Sequence, residues 1–471
     1  MININKKTID NFINSKYMQL LIIIGAAVLY GILCFGETIW LDEAITANFV
    51  RLSVKELVQR TAADVHPPLY YLIVKGTVSV FGDHIYVMKL ASMLPFLAML
   101  FLSYKKIRLL FGERTAFLFS AFSCVLPCVI AKNVEMRMYQ WAMFFVVAFG
   151  VYLYEAVKHN KRQSWFAATL FGICAAYTQY YALITVAILY VLVFLFAVNI
   201  SGKRRNIVIC CLLSGILYLP WLLVLFSQLL TLEETGWWNE VTVTIQYVMH
   251  FIAYPVENAN VIIKLVYCIV LVCGLVCACR RWKRDRERIA LLYMLTFLTL
   301  ILTGVLITMF YSPVFISRFL YPSVGLLLLG LCIALDKSNT WIVLFVALIA
   351  LFFGAKEYNS ELHYQHNENS IPKLTNFLET HREENAIYIY DDGAISWFMD
   401  YYAPESRSVS MDYFIQEKMD TAAYEKCYFL TLQPKEQALE RMKELVTINA
   451  FFREHVEIRY HSFDIYEIIL Q

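Results

Sequence analysis

Long apolar windows separated by short polar segments recur through the first 355 residues of the chain. Each window is long enough to cross about 30 Å of hydrocarbon as a helix. The windows lie near residues 18–36, 85–104, 116–132, 139–157, 165–181, 183–200, 207–229, 261–279, 289–310, 319–335 and 340–355. The pattern predicts a polytopic α-helical membrane protein with about 11 transmembrane helices.

A further apolar segment, residues 67–82, is predicted to lie along the membrane surface rather than to cross the membrane. Two prolines open this segment and Lys75 stands in its middle, which favours an interfacial helix. Residues 41–51 and 53–61 have the pattern of two more short amphipathic helices. The outer loop 37–84 is therefore expected to form a platform of short helices.

The distribution of basic residues predicts the orientation of the chain. With a cytoplasmic N-terminus, the inner segments carry 20 lysines and arginines, including Lys105, Arg162 and Arg284, and the short outer loops carry eight. This asymmetry is the one expected for cytoplasmic loops. If residues 67–82 crossed the membrane, every later loop would be inverted. An odd number of crossings leaves the C-terminus outside.

Helical and β-rich patterns alternate after residue 355. Residues 384–391 and 426–431 predict strands, residues 394–402 and 434–446 predict helices, and the last residues predict one or two strands. We therefore expect two domains, a transmembrane domain over 1–355 and a small extracytoplasmic α/β domain over 356–471. The second domain contains no phosphate-binding loop, metal-ligand spacing or nucleophile motif, which favours an accessory or acceptor-binding role.

Composition narrows the class of protein. Hydrophobic residues make up 59% of the chain and charged residues 17%, so the chain is expected to be embedded in the lipid bilayer. A net charge of +2 gives no reason to expect a nucleic acid partner. No internal repeat is visible, and this disfavours a secondary transporter built from two related halves.

Two acidic motifs lie in the first outer loop. Asp42 and Glu43 follow the first apolar window, and Asp64 and His66 precede the two prolines at residues 67–68. Ionisable groups at a membrane surface are costly unless they face water or a partner, so such a cluster is a functional hypothesis. The alternative is an ordinary polar loop with a capping aspartate and a proline-initiated helix.

Outer-side arginines suggest a site for an anion. Arg137 lies in Glu135-Met-Arg-Met-Tyr-Gln140, Arg318 lies in Ser317-Arg-Phe-Leu-Tyr-Pro322, and Tyr181 follows Gln179 and Tyr180. A guanidinium group binds phosphate through two parallel hydrogen bonds. The alternative for each arginine is snorkelling or a structural ion pair, such as Arg137 with Glu135. Acids beside such arginines suggest group transfer, with a carboxylate as base and cations stabilising a departing phosphate.

The two acidic motifs carry a family resemblance. Leu-Asp42-Glu43, followed by Asp64-Val-His66-Pro-Pro-Leu, resembles the paired signature of the protein O-mannosyltransferases, the family-39 glycosyltransferases of the GT-C superfamily. Bacterial members, including the lipid A aminoarabinose transferases, share this architecture. The resemblance covers about the first 355 residues and implies a GT-C transmembrane domain with 37–84 as its catalytic outer loop. Tyr70-Tyr71 replaces the Gly-Lys of the eukaryotic enzymes, and no MIR-type domain is present.

The resemblance implies an inverting hexosyl- or pentosyltransferase in a bacterial cell membrane. Its donor would be a polyprenyl-phosphate-linked monosaccharide, and its extracytoplasmic acceptor a glycolipid, a cell-wall polymer or a protein. Asp42 would be the general base with Glu43 beside it, and Asp64 and His66 would shape the acceptor site or bind a divalent metal, the one candidate cofactor. The residues expected to bind the donor phosphate are Arg137, Arg318, Tyr139, Tyr181 and Tyr321.

Two other function classes stay open at this point. A membrane transporter or lipid flippase with a charged outer gate would need ionisable residues at the midplane of several spans, and Lys89 is nearly the only one. A membrane-anchored receptor would act through its C-terminal domain. In that case Asp42 would be dispensable, and deletion beyond about residue 360 would abolish function.

Overall fold

A computed structural model describes residues 14–196, 201–231, 242–311, 315–367, 370–382, 385–417, 424–431, 452–459 and 464–470, and the positions 12, 433, 436–438, 440 and 441. The chain forms two compact units. The first, called the helical unit here, comprises residues 1–34, 53–83 and 87–361. The second, called the mixed unit, comprises residues 35–52, 84–86 and 362–471.

Helices make up most of the described chain. In chain order they are α1 (Lys16–Cys34), α2 (Leu41–Phe49), α3 (Val54–Ala63), α4 (Leu69–Phe81), α5 (Ile85–Phe111), α6 (Glu113–Val125), α7 (Pro127–Asn133), α8 (Tyr139–His159), α9 (Arg162–Ala176), α10 (Tyr180–Phe196), α11 (Ser201–Thr231), α12 (Ile245–Ile252), α13 (Val261–Arg280), α14 (Asp285–Phe310), α15 (Tyr321–Ala334), α16 (Thr340–Asn367), α17 (Ser370–Thr380), α18 (Gly393–Tyr402) and α19 (Met411–Gln416). The strands are β1 (Ala386–Tyr390), β2 (Arg407–Ser410), β3 (Lys426–Thr431), β4 (Phe452–Arg459) and β5 (Asp464–Leu470).

Eight of the described helices are long and apolar enough to cross a membrane. The number is nine if α6 and α7, which meet at a bend of 65°, form one broken span. Helices α9 and α10, of 15 and 17 residues, coincide with two further predicted spans but are shorter than the others. The polytopic helical architecture is confirmed, and the count of 11 spans stays a prediction.

The three short helices predicted in the first outer loop are present as α2, α3 and α4. Helix α4 ends at Gly82, whose φ of +94° lies in a region that side-chain-bearing residues rarely adopt. The glycine therefore stops α4 and allows the chain to turn into α5. The placement of these helices along the membrane surface stays a prediction.

The core of the helical unit lies around α8 and α15, which are both largely buried. These two helices approach closely at Gly325, where an added Cβ would lie 2.4 Å from Val147 Cγ2. In contrast, α1, α11, α13 and α16 bury few of their residues, as expected for helices that face lipid. The segment that carries Arg137 leads directly into the buried helix α8.

The mixed unit contains a five-stranded sheet in the order β2-β1-β3-β5-β4. Strands β2, β1 and β3 are parallel, and β5 pairs antiparallel with both β3 and β4. In register, Ile387 lies opposite Arg407 on one side and Cys427 on the other. The small α/β fold predicted for the C-terminal region is confirmed.

Both faces of this sheet are covered by helices. Ile387 and Phe429 on one face pack against residues of α19, including Phe414. On the other face, Tyr388 stacks on Tyr428 with ring centroids 5.3 Å apart, and Tyr428 contacts Phe377 of α17. Successive side chains of a strand point to opposite faces of the sheet, so β1 and β3 each contribute to the hydrophobic core on both faces.

The division into compact units differs in detail from the two domains expected from the sequence. Helix α16 continues to Asn367, and residues 35–52, including α2, group with the mixed unit. The domain boundary at residue 355 stays a prediction. Most of the predicted helix over residues 434–446 lies outside the described residues.

Candidate active site

The second acidic motif joins two helices of the helical unit. Asp64 stands at the C-terminal end of α3, and Pro68 directly precedes α4. Proline suits a helix start because its missing N–H would have no partner within the helix. The first N–H of α4, on Leu69, instead donates to the carbonyl oxygen of Tyr177 at 3.1 Å. This contact ties the motif to the segment between α9 and α10.

Gln228 of α11 holds the end of α3. Its side-chain amide donates to the carbonyl oxygens of Thr61 at 3.2 Å and Ala62 at 3.0 Å, and also to that of Asp64. The carbonyls of Thr61 and Ala62 belong to the last turn of α3, and that of Asp64 directly follows the helix. Carbonyl groups at this end lack hydrogen-bond donors within the helix. The buried glutamine therefore fixes where Asp64 leaves the helix.

A row of polar side chains runs from Asp64 to Tyr71. His66 Nδ1 lies 3.4 Å from Asp64 Oδ2, and His66 Nε2 lies 3.3 Å from Arg137 Nη2. The other terminal nitrogen of the guanidinium group, Arg137 Nη1, donates to the hydroxyl of Tyr71 at 3.2 Å. Arg137 is 3% exposed, so its charge is held away from bulk water. The structure thus brings together three predicted site residues from distant parts of the chain.

The charge on Asp64 is stabilised by these neighbours. Burial by itself raises the pKa of Asp64, but the hydrogen bond and charge of His66, the N–H of Val65 and the charge of Arg137 outweigh burial and lower the pKa to about 2. The carboxyl group is therefore ionised at neutral pH. An ionised Asp64 favours a proton on the facing nitrogen of His66.

Further basic side chains lie near Arg137. Lys132 forms an ion pair with Glu135 at 2.5 Å, and its ammonium group lies 5.5 Å from the centre of the Tyr139 ring. Arg318 interacts electrostatically with Lys132 and Tyr139, and Arg137 also interacts with Tyr139. Both predicted phosphate-binding arginines thus adjoin Tyr139. Such a basic cluster can stabilise an anion.

The other two predicted tyrosines differ in their surroundings. Tyr181 stacks on Phe315 and Phe319, with ring centroids 5.5 and 4.7 Å apart, and therefore supports the segment that carries Arg318. Tyr321 is fully buried, lies edge-on to Tyr139, and donates its hydroxyl proton to Gln140 at 2.5 Å. The Tyr321 hydroxyl therefore donates its hydrogen bond within the protein core.

The first acidic motif lies in the mixed unit, in the first turn of α2. Glu43 is 1% exposed and accepts a hydrogen bond from the backbone N–H of Trp40 at 3.0 Å. Asp42 is partly exposed. The two adjacent carboxylates therefore differ in environment: Glu43 caps its helix, while Asp42 remains accessible.

Asp64 and His66 do not fit a divalent metal. Both ring nitrogens of His66 face charged side chains, and the one facing Arg137 has a guanidinium group 3.3 Å away, which would repel a cation. Within the described part of the chain, no group of three or more His, Cys, Asp or Glu residues could hold a metal. Catalytic zinc sites use about three protein ligands.

Sequence reasoning did not assign roles to Tyr71 and Gln228. Tyr71 stood out only as a departure from the family motif, although it contacts Arg137 directly. Gln228 is a polar residue near the end of an apolar window. Since polar groups buried in spans usually have partners, this position was the feature of the sequence that could have indicated a structural role.

Residues 65–239 match the family model described as dolichyl-phosphate-mannose-protein mannosyltransferase. No curated protein matches the sequence significantly. Among solved structures, ArnT from Cupriavidus metallidurans in the apo state superposes with a TM-score of 0.63 at 12% identity, covering 95% of this chain and 97% of that chain. ArnT bound to undecaprenyl phosphate gives a TM-score of 0.62 at 13% identity, with the same coverage.

The Archaeoglobus fulgidus oligosaccharyltransferase, tethered to an acceptor peptide containing the NVT sequon, is also similar. Its TM-score is 0.56 at 12% identity, covering 97% of this chain and 74% of that chain. The protein therefore has the fold of the GT-C glycosyltransferases, an integral membrane fold. The matched segment is similar to the protein mannosyltransferase model, and the resemblance inferred from the two acidic motifs is confirmed.

Proposed function

We propose that the protein is a membrane glycosyltransferase that transfers a monosaccharide from a polyprenyl-phosphate-linked donor to an extracytoplasmic acceptor. The fold supports this proposal because ArnT has a similar structure and has been solved with undecaprenyl phosphate bound. The matched family model is named for a dolichyl-phosphate-linked sugar, which is a donor of the same chemical class. The tethered peptide in the oligosaccharyltransferase structure supports a separate acceptor.

The observation that carries the proposal is the buried guanidinium group of Arg137. Its two terminal nitrogens contact His66 and Tyr71, and Lys132 and Arg318 lie near the same Tyr139 ring. These three basic side chains concentrate positive charge around Tyr139. A lipid-linked phosphate has the charge and the oxygen geometry that such a cluster favours.

The proposed reaction is a single displacement. The acceptor oxygen forms a bond to the anomeric carbon of the sugar while the bond from that carbon to the phosphate oxygen breaks. The leaving polyprenyl phosphate takes the electron pair, and Arg137 and Arg318 stabilise its charge. Asp42 takes the proton of the attacking hydroxyl group. One displacement inverts the anomeric configuration, which the stereochemistry of the product tests.

Asp64 and His66 support the arginine in this scheme. The low pKa of Asp64 keeps it ionised, and its charge orients the His66 ring toward Arg137. Glu43 holds the first turn of α2 through the N–H of Trp40. The accessible Asp42 is therefore the better base of the adjacent pair.

Replacement of the base tests the mechanism. Asp42→Asn keeps the volume of the side chain but removes its ability to accept a proton, so turnover should fall about 10²- to 10⁴-fold. Expression, membrane insertion and donor binding should persist. The measurement is transfer of labelled sugar from a polyprenyl-phosphate donor by purified protein.

Glu43→Gln is the matched control and should reduce turnover less, because the glutamine oxygen can still accept the Trp40 hydrogen bond. Wild-type turnover in Asp42→Asn would exclude Asp42 as the base. In that case Asp64 or Glu43 would be the next candidate.

A further inference from the structure

The C-terminal end of α2 is fastened to α18 by two hydrogen bonds. Asn48 donates its side-chain amide proton to the carbonyl oxygen of Trp397 at 2.7 Å, and Arg51 Nη1 donates to that of Tyr401 at 2.8 Å. Tyr401 lies in the last turn of α18, where carbonyl groups lack partners within the helix. A cation at that end is also favoured by the helix dipole.

Side-chain packing reinforces these hydrogen bonds. The guanidinium carbon of Arg51 lies 3.8 Å from the centre of the Tyr401 ring, and Phe49 meets Trp397 edge-on at 6.0 Å. The buried side chains of α2 include the small residues Ala44 and Ala47, which permit close approach of a neighbouring helix, and α2 packs against α18. The contact therefore combines hydrogen bonds with packing of aromatic side chains.

Helix α18 also interacts electrostatically with the acidic end of α2. Burial raises the pKa of Tyr402, at the end of α18, far above its ordinary value, and the charges of Tyr401, Glu43 and Glu37 raise it further. Such interactions require Glu43 to lie near Tyr402. Helix α18 thus interacts electrostatically with Glu43 in the first turn of α2 and contacts the opposite end of the same nine-residue helix.

We propose that Asn48 and Arg51 are positioning residues, which use Trp397 and Tyr401 of the C-terminal region to hold the Asp42 carboxylate in its reactive place. This inference rests on the proposed function, and it gives the C-terminal α/β region a role in catalysis. A short helix moves as a rigid body, so loosening its far end displaces its first turn. A displacement of about 1 Å at a reacting group costs on the order of 100-fold in rate.

The test compares Asn48→Ala and Arg51→Ala with Lys55→Ala, which removes an exposed basic side chain from the same outer loop. Both positioning variants should lower kcat on the order of 10- to 100-fold and leave the donor KM unchanged. Arg51→Lys should recover part of the loss, because lysine keeps the charge above Tyr401. Tyr401→Leu combined with Arg51→Ala should cost little more than Arg51→Ala alone, since both remove one contact.

Hydrogen exchange of peptides covering residues 41–49 supplies a readout that is independent of sugar transfer. Exchange should become faster in Asn48→Ala and Arg51→Ala and stay unchanged in Lys55→Ala. Unchanged exchange in both positioning variants, or an equal loss of kcat in Lys55→Ala, would overturn the proposal. If the wild-type protein transfers no sugar, the proposed function fails, while the exchange rates still decide whether α18 holds α2.

Discussion

Arg137 connects segments of the helical unit that are far apart along the chain. It contacts Tyr71 and His66, which precede it by 66 and 71 residues. If it binds the donor phosphate, Arg137→Ala should weaken apparent donor affinity about 10- to 100-fold, the equivalent of one charged hydrogen bond. Arg318→Ala should act in the same direction. Donor and acceptor titrations with the purified variants measure this effect.

Arg137→Lys is the informative companion to that experiment. Lysine keeps the positive charge but cannot contact His66 and Tyr71 together through a planar fork, so most of the loss should remain. Lys55→Ala supplies the control for removing an exposed charge. An unchanged donor KM in both Arg137→Ala and Arg318→Ala would assign these arginines a structural role.

Asp64 predicts a dependence of stability on pH. Its pKa of about 2 in the folded protein lies below the ordinary value of 3.8, so the ionised form stabilises the fold. This stabilisation is complete well above pH ~4 and is lost as the pH falls toward ~2. The melting temperature of detergent-solubilised wild-type protein should exceed that of Asp64→Asn near pH ~5.5, and this difference should narrow below pH ~4. A constant difference down to pH ~3 would contradict the low pKa.

Motif spacing identified Asp64 and His66 as site residues, but it did not identify the distant residues that contact them. Asp64 and His66 stand close together in sequence, so their meeting follows from local geometry. Gln228 reaches the Asp64 carbonyl across 164 residues, and no local pattern specifies such a pair. The sequence indicates which residues have side chains suited to a site. Their contacts with distant residues depend on how the helices pack.

At the scale of elements, the end of α3 depends on α11. Gln228→Leu replaces the amide by an apolar side chain of similar size and leaves the carbonyl oxygens of Thr61 and Ala62 without this donor. The loss of such a buried donor costs about 1–3 kcal/mol. The melting temperature of the solubilised protein should therefore fall by several degrees, and sugar transfer should decline because Asp64 is displaced.

The exposed neighbour Phe226 supplies the control for that substitution. Phe226→Leu should change neither the melting temperature nor transfer, since no polar contact is lost. Equal melting temperatures for Gln228→Leu and the wild-type protein would show that the hydrogen bonds to α3 contribute nothing to stability.

Apolar windows located the helices well but not their ends. The window over residues 340–355 predicted one span, and α16 continues to Asn367. Residues 356–367 contain neither glycine nor proline, so nothing in the backbone stops the helix when the sequence becomes polar. Hydropathy reports the solvent around a helix, and helix length is set by capping and breaking residues.

At the scale of the whole molecule, the charge asymmetry predicts one orientation. Single cysteines introduced at Lys105, Arg162 and Arg284 should be protected from a membrane-impermeant reagent in intact cells, and a cysteine at the exposed Asp412 should react. A background without the 12 native cysteines avoids competing labels. Trp238, also expected outside, lies outside the described residues. External labelling at position 284 would invert the topology and the placement of every proposed site residue.

The sequence predicted a membrane domain followed by a small α/β region, but it did not predict that α2 would group with that region. The pattern of residues 41–51 identified a short amphipathic helix, and such a pattern does not specify what covers its apolar side. Asn48 and Arg51 looked like ordinary polar residues of an outer loop. Their partners, Trp397 and Tyr401, lie in a helix near the other end of the chain.

This separation sets the order in which the protein can become active during synthesis. Asn48 and Arg51 precede their partners by 349 and 350 residues, so the ribosome makes α2 long before the helix that holds it. At about 5–20 residues per second, the delay is roughly 20–70 s. The Asp42 motif acquires this packing partner only after all the intervening residues have been translated. A nascent chain can therefore insert most of its spans into the membrane while its proposed base is still unplaced.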